Sequence, residues 1–160
     1  MKLMNIIRLV QVALLAAFAC FVNGCANQFA TTIAPPFSDK VTPVASIGLT
    51  GEGVSAASPA FIGLGYNVRD LGIDSPGALE HAKSRSIPFV AIVDPIGTKS
   101  AWWNGRFNFS MRVKEVPSGT TVWSGTARYG SGGILINEAE STTRAMDDMV
   151  ADFAKHFPPK

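Results

Sequence analysis

The sequence predicts an α+β fold of α/β-like character, with a mixed β-sheet of about five strands and a long C-terminal helix packed on one face. Three observations carry this expectation. Phe107, Phe109, Met111 and Val113 alternate with Arg106, Asn108, Ser110, Arg112 and Lys114, the period-two pattern of a strand with one buried face. Phe89 to Val93 is an unbroken apolar run between Pro88 and Asp94-Pro95, as expected of a strand covered on both faces. From Asn137 to Phe157, the residues Ala139, Thr142, Met146, Met149, Val150, Phe153 and Phe157 recur at helical spacing. Glu138 and Glu140 suit the first turn of such a helix, where the dipole favours acidic groups, and Pro158-Pro159 stops it.

The other elements follow from local chemistry. Val44 to Thr50 reads as the first strand of the domain, ending in Gly51-Glu52-Gly53. A glycine pair can cradle phosphate, but no GxGxxG pattern or Walker lysine follows, so a plain turn is expected. Ser55 to Pro59 is a poor helix opening, which leaves a short connection from Val54 to Gly65. Tyr66 to Asp70 reads as a second strand. Ser75 then suits an N-cap and Pro76 the first helical position, with Ala78, Leu79 and Ala82 on one face and an end before Pro88. If the flanking strands are parallel, their connection is a right-handed crossover.

Val116 to Thr120 reads as a hairpin loop with Gly119 in the left-handed position. Pairing Val116 with Thr120 sets Val113 opposite Trp123, Met111 opposite Gly125, Phe109 opposite Ala127 and Phe107 opposite Tyr129. A slip of one residue would turn Trp123 onto the face of Arg112 and Lys114, so turn and pattern agree. Gly130 to Gly133 reads as a flexible joint before Ile134-Leu135-Ile136.

The N-terminus is read as a targeting segment. Lys2 and Arg8 precede the apolar stretch Leu9 to Val22, which has the length of a signal core and falls short of the roughly 20 residues that span a bilayer. Val22-Asn23-Gly24-Cys25 has the layout of a bacterial lipobox, with an aliphatic residue at −3, a small one at −1 and the cysteine that receives the lipid at +1. Residues 1–24 are thus expected to form a signal peptide, with Cys25 the lipidation site. Residues 25–43 are expected to be the lipidated cysteine and a flexible tether, and 44–160 a single α/β domain. Several acyl chains on one cysteine, palmitate included, anchor a protein stably where one chain is marginal.

Removal of the first 24 residues leaves 136 of the 160, enough to bury roughly two-thirds of the unfolded surface in one core. With 47% apolar and 16% charged residues, the composition excludes a disordered chain. Loss of Lys2 and Arg8 leaves twelve basic residues against twelve acidic ones. This neutral balance gives no footprint for nucleic acid.

Candidate chemistry is sparse. Cys20 and Cys25 both belong to the leader and its end, so the body has no thiol for a disulfide, a zinc site or a nucleophile. His81 and His156, the only histidines, read as surface residues on their helices. Ser124 lacks the Gly-x-Ser-x-Gly frame of a nucleophile elbow, and Asp94 reads as a strand-ending turn. Asp147, Asp148 and Asp152 read as a solvated helix face. No catalytic residue, cofactor or metal is expected. Trp102 and Trp103 are the first candidate contact: strand parity sets Trp103 with the buried set and Trp102 with the polar set, and an exposed tryptophan suits a partner surface, a glycan or the headgroup layer. Ile134, Leu135 and Ile136 are the second.

Several of these features together resemble a known group. They are the lipobox, the leading aliphatic strand, Gly65-Tyr66-Asn67-Val68-Arg69-Asp70, Ala78-Leu79-Glu80-His81-Ala82, the run Phe89 to Val93, and Ser118-Gly119-Thr120-Thr121-Val122-Trp123-Ser124-Gly125. The sequence from about Val44 to Phe157 is similar to the small periplasmic lipoproteins that share the CsgG and TolB amino-terminal fold, a family that includes PelC and LpoB. The connection from Val54 to Gly65 departs from that family, whose members commonly have a full helix there. The resemblance implies a non-catalytic protein anchored by its lipid on the periplasmic side of the outer membrane. It implies a homo-oligomer, even a ring, that supports polymer export or assembly of an envelope machine. The alternative it implies is a monomeric accessory lipoprotein that activates a periplasmic enzyme.

Overall fold

The computed structural model describes residues 28–72, 75–96, 106–130 and 138–160. In chain order the elements are β1 (Gln28–Ile33), α1 (Pro35–Ser38), β2 (Ile47–Thr50), α2 (Val54–Gly63) and β3 (Val68–Asp70), then α3 (Ser75–Ser84), β4 (Phe89–Pro95), β5 (Arg106–Glu115), β6 (Thr121–Gly130) and α4 (Glu138–His156). The strands form one six-stranded mixed sheet in the order β1-β6-β5-β4-β2-β3. β2 runs parallel to β3 and β4, and the remaining pairs are antiparallel.

Strand parity decides which side each residue enters. On one face Ile47, Leu49, Phe89, Ala91, Val93, Met111, Val113, Trp123 and Ala127 meet Ala57 and Phe61 of α2 and the apolar stripe of α4. On the other, Val90 and Ile92 meet Ala78 and Ala82 of α3. β4 is therefore covered on both sides, as its unbroken apolar run predicts. Phe153 of α4 sits at the centre of the first face, its ring 4.9 Å from Phe157, 5.9 Å from Trp123 and 6.0 Å from both Phe61 and Tyr66.

The glycine pair after β2 serves close packing. The Gly53 N–H donates to the Val93 carbonyl at 2.8 Å, and a Cβ on Gly53 would come within 2.5 Å of Val93 Cγ1. The turn lies directly on β4, leaving no hollow for a phosphate.

Four expectations need correction. The segment expected to be a flexible tether is docked: β1 pairs with β6 from Gln28↔Arg128 to Ile33↔Trp123. The ring of Phe37 of α1 lies tilted against that of Phe157 at 5.7 Å, and the Thr42 and Val44 N–H groups donate to the carbonyls of His156 and Pro158 at 2.8 and 2.7 Å. Little of β1 is buried, so its placement comes from the main-chain ladder it completes on β6, which leaves no mark in local composition.

The second correction concerns the expected short connection after Val54, which is a ten-residue helix with Pro59 inside it. Burial of Ala57 and Phe61 against the sheet outweighs the poor local propensity.

Third, the hairpin register holds in its body and shifts near the turn. Phe107↔Tyr129, Phe109↔Ala127, Met111↔Gly125 and Val113↔Trp123 pair as expected, whereas Lys114 pairs with Thr121. Val122 is the extra residue, and a bulge of this kind lets it share the core face with Trp123.

In the first turns of α4, finally, Ser141 and Ala145 face the core, and Ala139 is exposed.

Candidate functional site

The register brings several chain ends to one end of the sheet. Gln28, the first residue of β1, lies opposite Arg128, and Arg106, the first residue of β5, lies opposite Gly130, the last of β6. The Ile96 N–H donates to the Asn108 carbonyl at 2.8 Å beside them. Cys25 precedes Gln28 by three positions in the sequence. Cys25, Trp102, Trp103, Ile134, Leu135 and Ile136 all lie outside the described residues, as does the joint from 131 to 133.

A polar clasp ties α4 to the β1–β6 side of the sheet. Asp152, whose side chain is only 16% exposed, accepts from Lys155 Nζ at 2.9 Å and from Trp123 Nε1 at 3.3 Å. Thr31 of β1 also hydrogen-bonds to it. Burial pushes the Asp152 carboxyl up, but the hydrogen bonds from Lys155, Thr31 and Trp123 outweigh it and hold the group below the usual carboxylate range. One turn earlier, Asp148 accepts from the Tyr129 hydroxyl. Burial first, then that hydrogen bond and the Asp148 charge, push the Tyr129 phenol up to about 12, against a smaller opposing effect of Arg144.

Asp152 is therefore turned towards the sheet, contrary to the expected solvated face, while Asp147 and Asp148 are exposed, the latter still accepting from Tyr129. Buried Trp123 and Tyr129 each need a partner for a polar tip. Aspartates bordering the Met149–Phe153 stripe were the signal that could have supplied one.

The residues weighed for catalysis are dispersed. Asp94 ends β4 and lies 3.8 Å from Arg112, with the two side chains 36% and 54% exposed. His81 is exposed on α3, and Ser124 sits in the β6 ladder opposite Arg112 and Thr32. The His156 backbone carbonyl accepts from Thr42. Among the described residues no three His, Cys, Asp or Glu side chains come together as metal ligands. No helix there is long and apolar enough to cross a membrane.

No protein-family pattern and no curated protein matches the chain by sequence. Solved structures do match. A methionine-for-leucine variant of the PelC dodecamer from Paraburkholderia phytofirmans superposes with a TM-score of 0.64 at 15% identity, covering 84% of this chain and 100% of that one. The fold is PelC-like. A second crystal form of the PelC dodecamer from the same organism gives a TM-score of 0.61 at 14% identity over the same shares. Lipoprotein GNA1162 from Neisseria meningitidis gives 0.38 at 13% identity, over 67% of this chain and 99% of that one. The PelC likeness is one of fold, with α2 now a full helix where the sequence reading expected a departure from the family.

Proposed function

We propose that this protein is a non-catalytic lipoprotein, anchored through Cys25 on the periplasmic side of the outer membrane, that acts in several copies as an assembly or secretion component of an exopolysaccharide or other envelope export machine. The observation that carries this reading is the strand register. β1, which follows Cys25 in sequence, starts at the end of the sheet where β5 begins and β6 finishes. The stretches holding Trp102-Trp103 and Ile134 to Ile136 are joined to that same end. A lipidated cysteine, a pair of tryptophans and an aliphatic triplet, each close in sequence to that end of the sheet, suit a membrane-apposed or partner-apposed surface. The PelC-like fold and the lipobox support the same reading.

Mass spectrometry of the full chain expressed in a diderm bacterium tests it. A Cys25 peptide carrying a diacylglycerol thioether, in outer-membrane fractions, is the expected result. Cys25→Ser should leave the chain unprocessed or release it to the aqueous periplasm. An unmodified mature Cys25 would overturn the proposal.

A further inference from the structure

The two sides of the β1–β6–β5 half of the sheet differ in cover and in charge. Residues opposite one another across an antiparallel ladder share a face. Arg112 and Lys114 lie opposite Ile92 and Val90, the residues that α3 covers. Ser124, Thr126 and Arg128 continue that face along β6 through their pairing with Arg112, Ser110 and Asn108. Among the described residues no helix packs over this half of the face, and Arg112, Thr126 and Arg128 are exposed. Neither Arg128 nor Lys114 forms a salt bridge among the described residues, and Arg112 has Asp94 only at 3.8 Å. Asn108 Oδ1 is buried on the same face without a hydrogen-bond donor among them.

The opposite side of this half is closed by α4, on which the exposed Lys155 is matched by Asp152 at 2.9 Å. Glu140 is matched there by Arg144 at 2.6 Å. Asp147 and Asp148 are exposed next to each other, and no cation among the described residues bridges either. One domain thus presents uncompensated cations on one side and uncompensated carboxylates on the other.

We propose that the open basic face of β5 and β6 receives the acidic outer side of α4 from a second copy of the chain, so that copies associate head to tail. This deepens the multi-copy reading above and rests on it. A contact between unlike faces leaves one of each free at every step, and it closes into a ring or extends as a filament. Opposite charge sets the register and excludes stacking of two like faces.

Charge exchange on the full lipidated chain in detergent, followed by light scattering, tests the assignment. The unaltered chain should have a mass of several copies that falls towards one copy at about 0.5 M sodium chloride, where screening shortens the reach of charge to a few ångströms. Arg128→Glu and Asp147→Arg should each reduce the mass to a single copy. A chain carrying both substitutions should recover the assembly, which a merely misfolded variant cannot do. Mixing the two single variants should restore association between unlike chains. If the single variants keep the original mass, or the double variant stays a single copy, the assignment is wrong. Arg128-dependent binding of alginate by a monomeric chain would give the face to an anionic polymer and equally overturn it. A lipidated Cys25 on a chain that remains monomeric would refute this contact while leaving the anchor standing.

Discussion

Replacing Phe153 with alanine removes the ring on which the first face of the sheet closes. The side chain is fully buried, and four aromatic rings surround it, the farthest centroid at 6.0 Å. Those rings come from α2, from the turn before β3, from β6 and from the residue that follows α4. No single shift of one element can fill the space left behind. Phe→Ala in a core costs about 3–5 kcal/mol, and sites that cannot collapse fall at the upper end. Lost edge and stacking contacts, about 0.5–1.5 kcal/mol for each pair, are contained in that cost and place it towards the upper end. Against a total stability of roughly 5–15 kcal/mol, a loss of about 4–5 kcal/mol is severe. For a domain of this size it corresponds to a fall in Tm of roughly 12–20 °C. Urea and thermal unfolding followed by far-ultraviolet circular dichroism give the comparison, with Phe29→Ala as control. Phe29 is 40% exposed on β1, so its loss should cost only about 1–2 kcal/mol. A cost below about 1 kcal/mol for Phe153→Ala would mean that α4 does not close over the sheet as described.

Gly53→Ala should destabilise by about 1–3 kcal/mol through overpacking against Val93, whereas Gly63→Ala, which meets open space at the end of α2, should stabilise by about 0.4–1 kcal/mol in the same denaturation assay. The Asp152 carboxyl is held below its ordinary value of 3.8, so its contribution is complete above that pH and disappears as pH falls through the lower folded value. Stability measured from pH 6 downwards should lose part of its acid dependence in Asp152→Asn, and an unchanged pH profile would remove the clasp from the account. Cysteines at Ala30 and Thr126, paired across β1 and β6 on a body with no cysteine of its own, should form a disulfide on mild oxidation, since directly opposite antiparallel positions meet its geometry. A free, mobile segment from 28 to 33 would leave both thiols titratable.

The lipobox and the candidate contacts rest on the sequence alone, because each is a contiguous run whose chemistry depends on its own residues and which lies outside the described residues. The clasp was not legible there. Asp148 and Asp152 look like any surface aspartates until Trp123, Tyr129 and Thr31 arrive from strands far away in the chain. The unlike charges of the two sides of the sheet are also a tertiary property, since the net balance of the chain is close to zero and only strand pairing sorts the cations from the carboxylates.

The same division runs through the fold. Period-two alternation in β5, the unbroken run of β4 and the helical stripe ending at Phe157 each specify an element and its buried side, because side-chain direction repeats with the backbone that bears it. The body of the hairpin register follows too, since a slip would expose Trp123 to water. Docking of β1, helix formation through Pro59, the bulge at Val122 and the inward turn of Asp152 were decided only by the assembled structure. In each of these the stabilising partner is remote in sequence: the β6 ladder for β1, the sheet core for Ala57 and Phe61, the far strand for the bulge, and the Trp123 indole for the carboxylate.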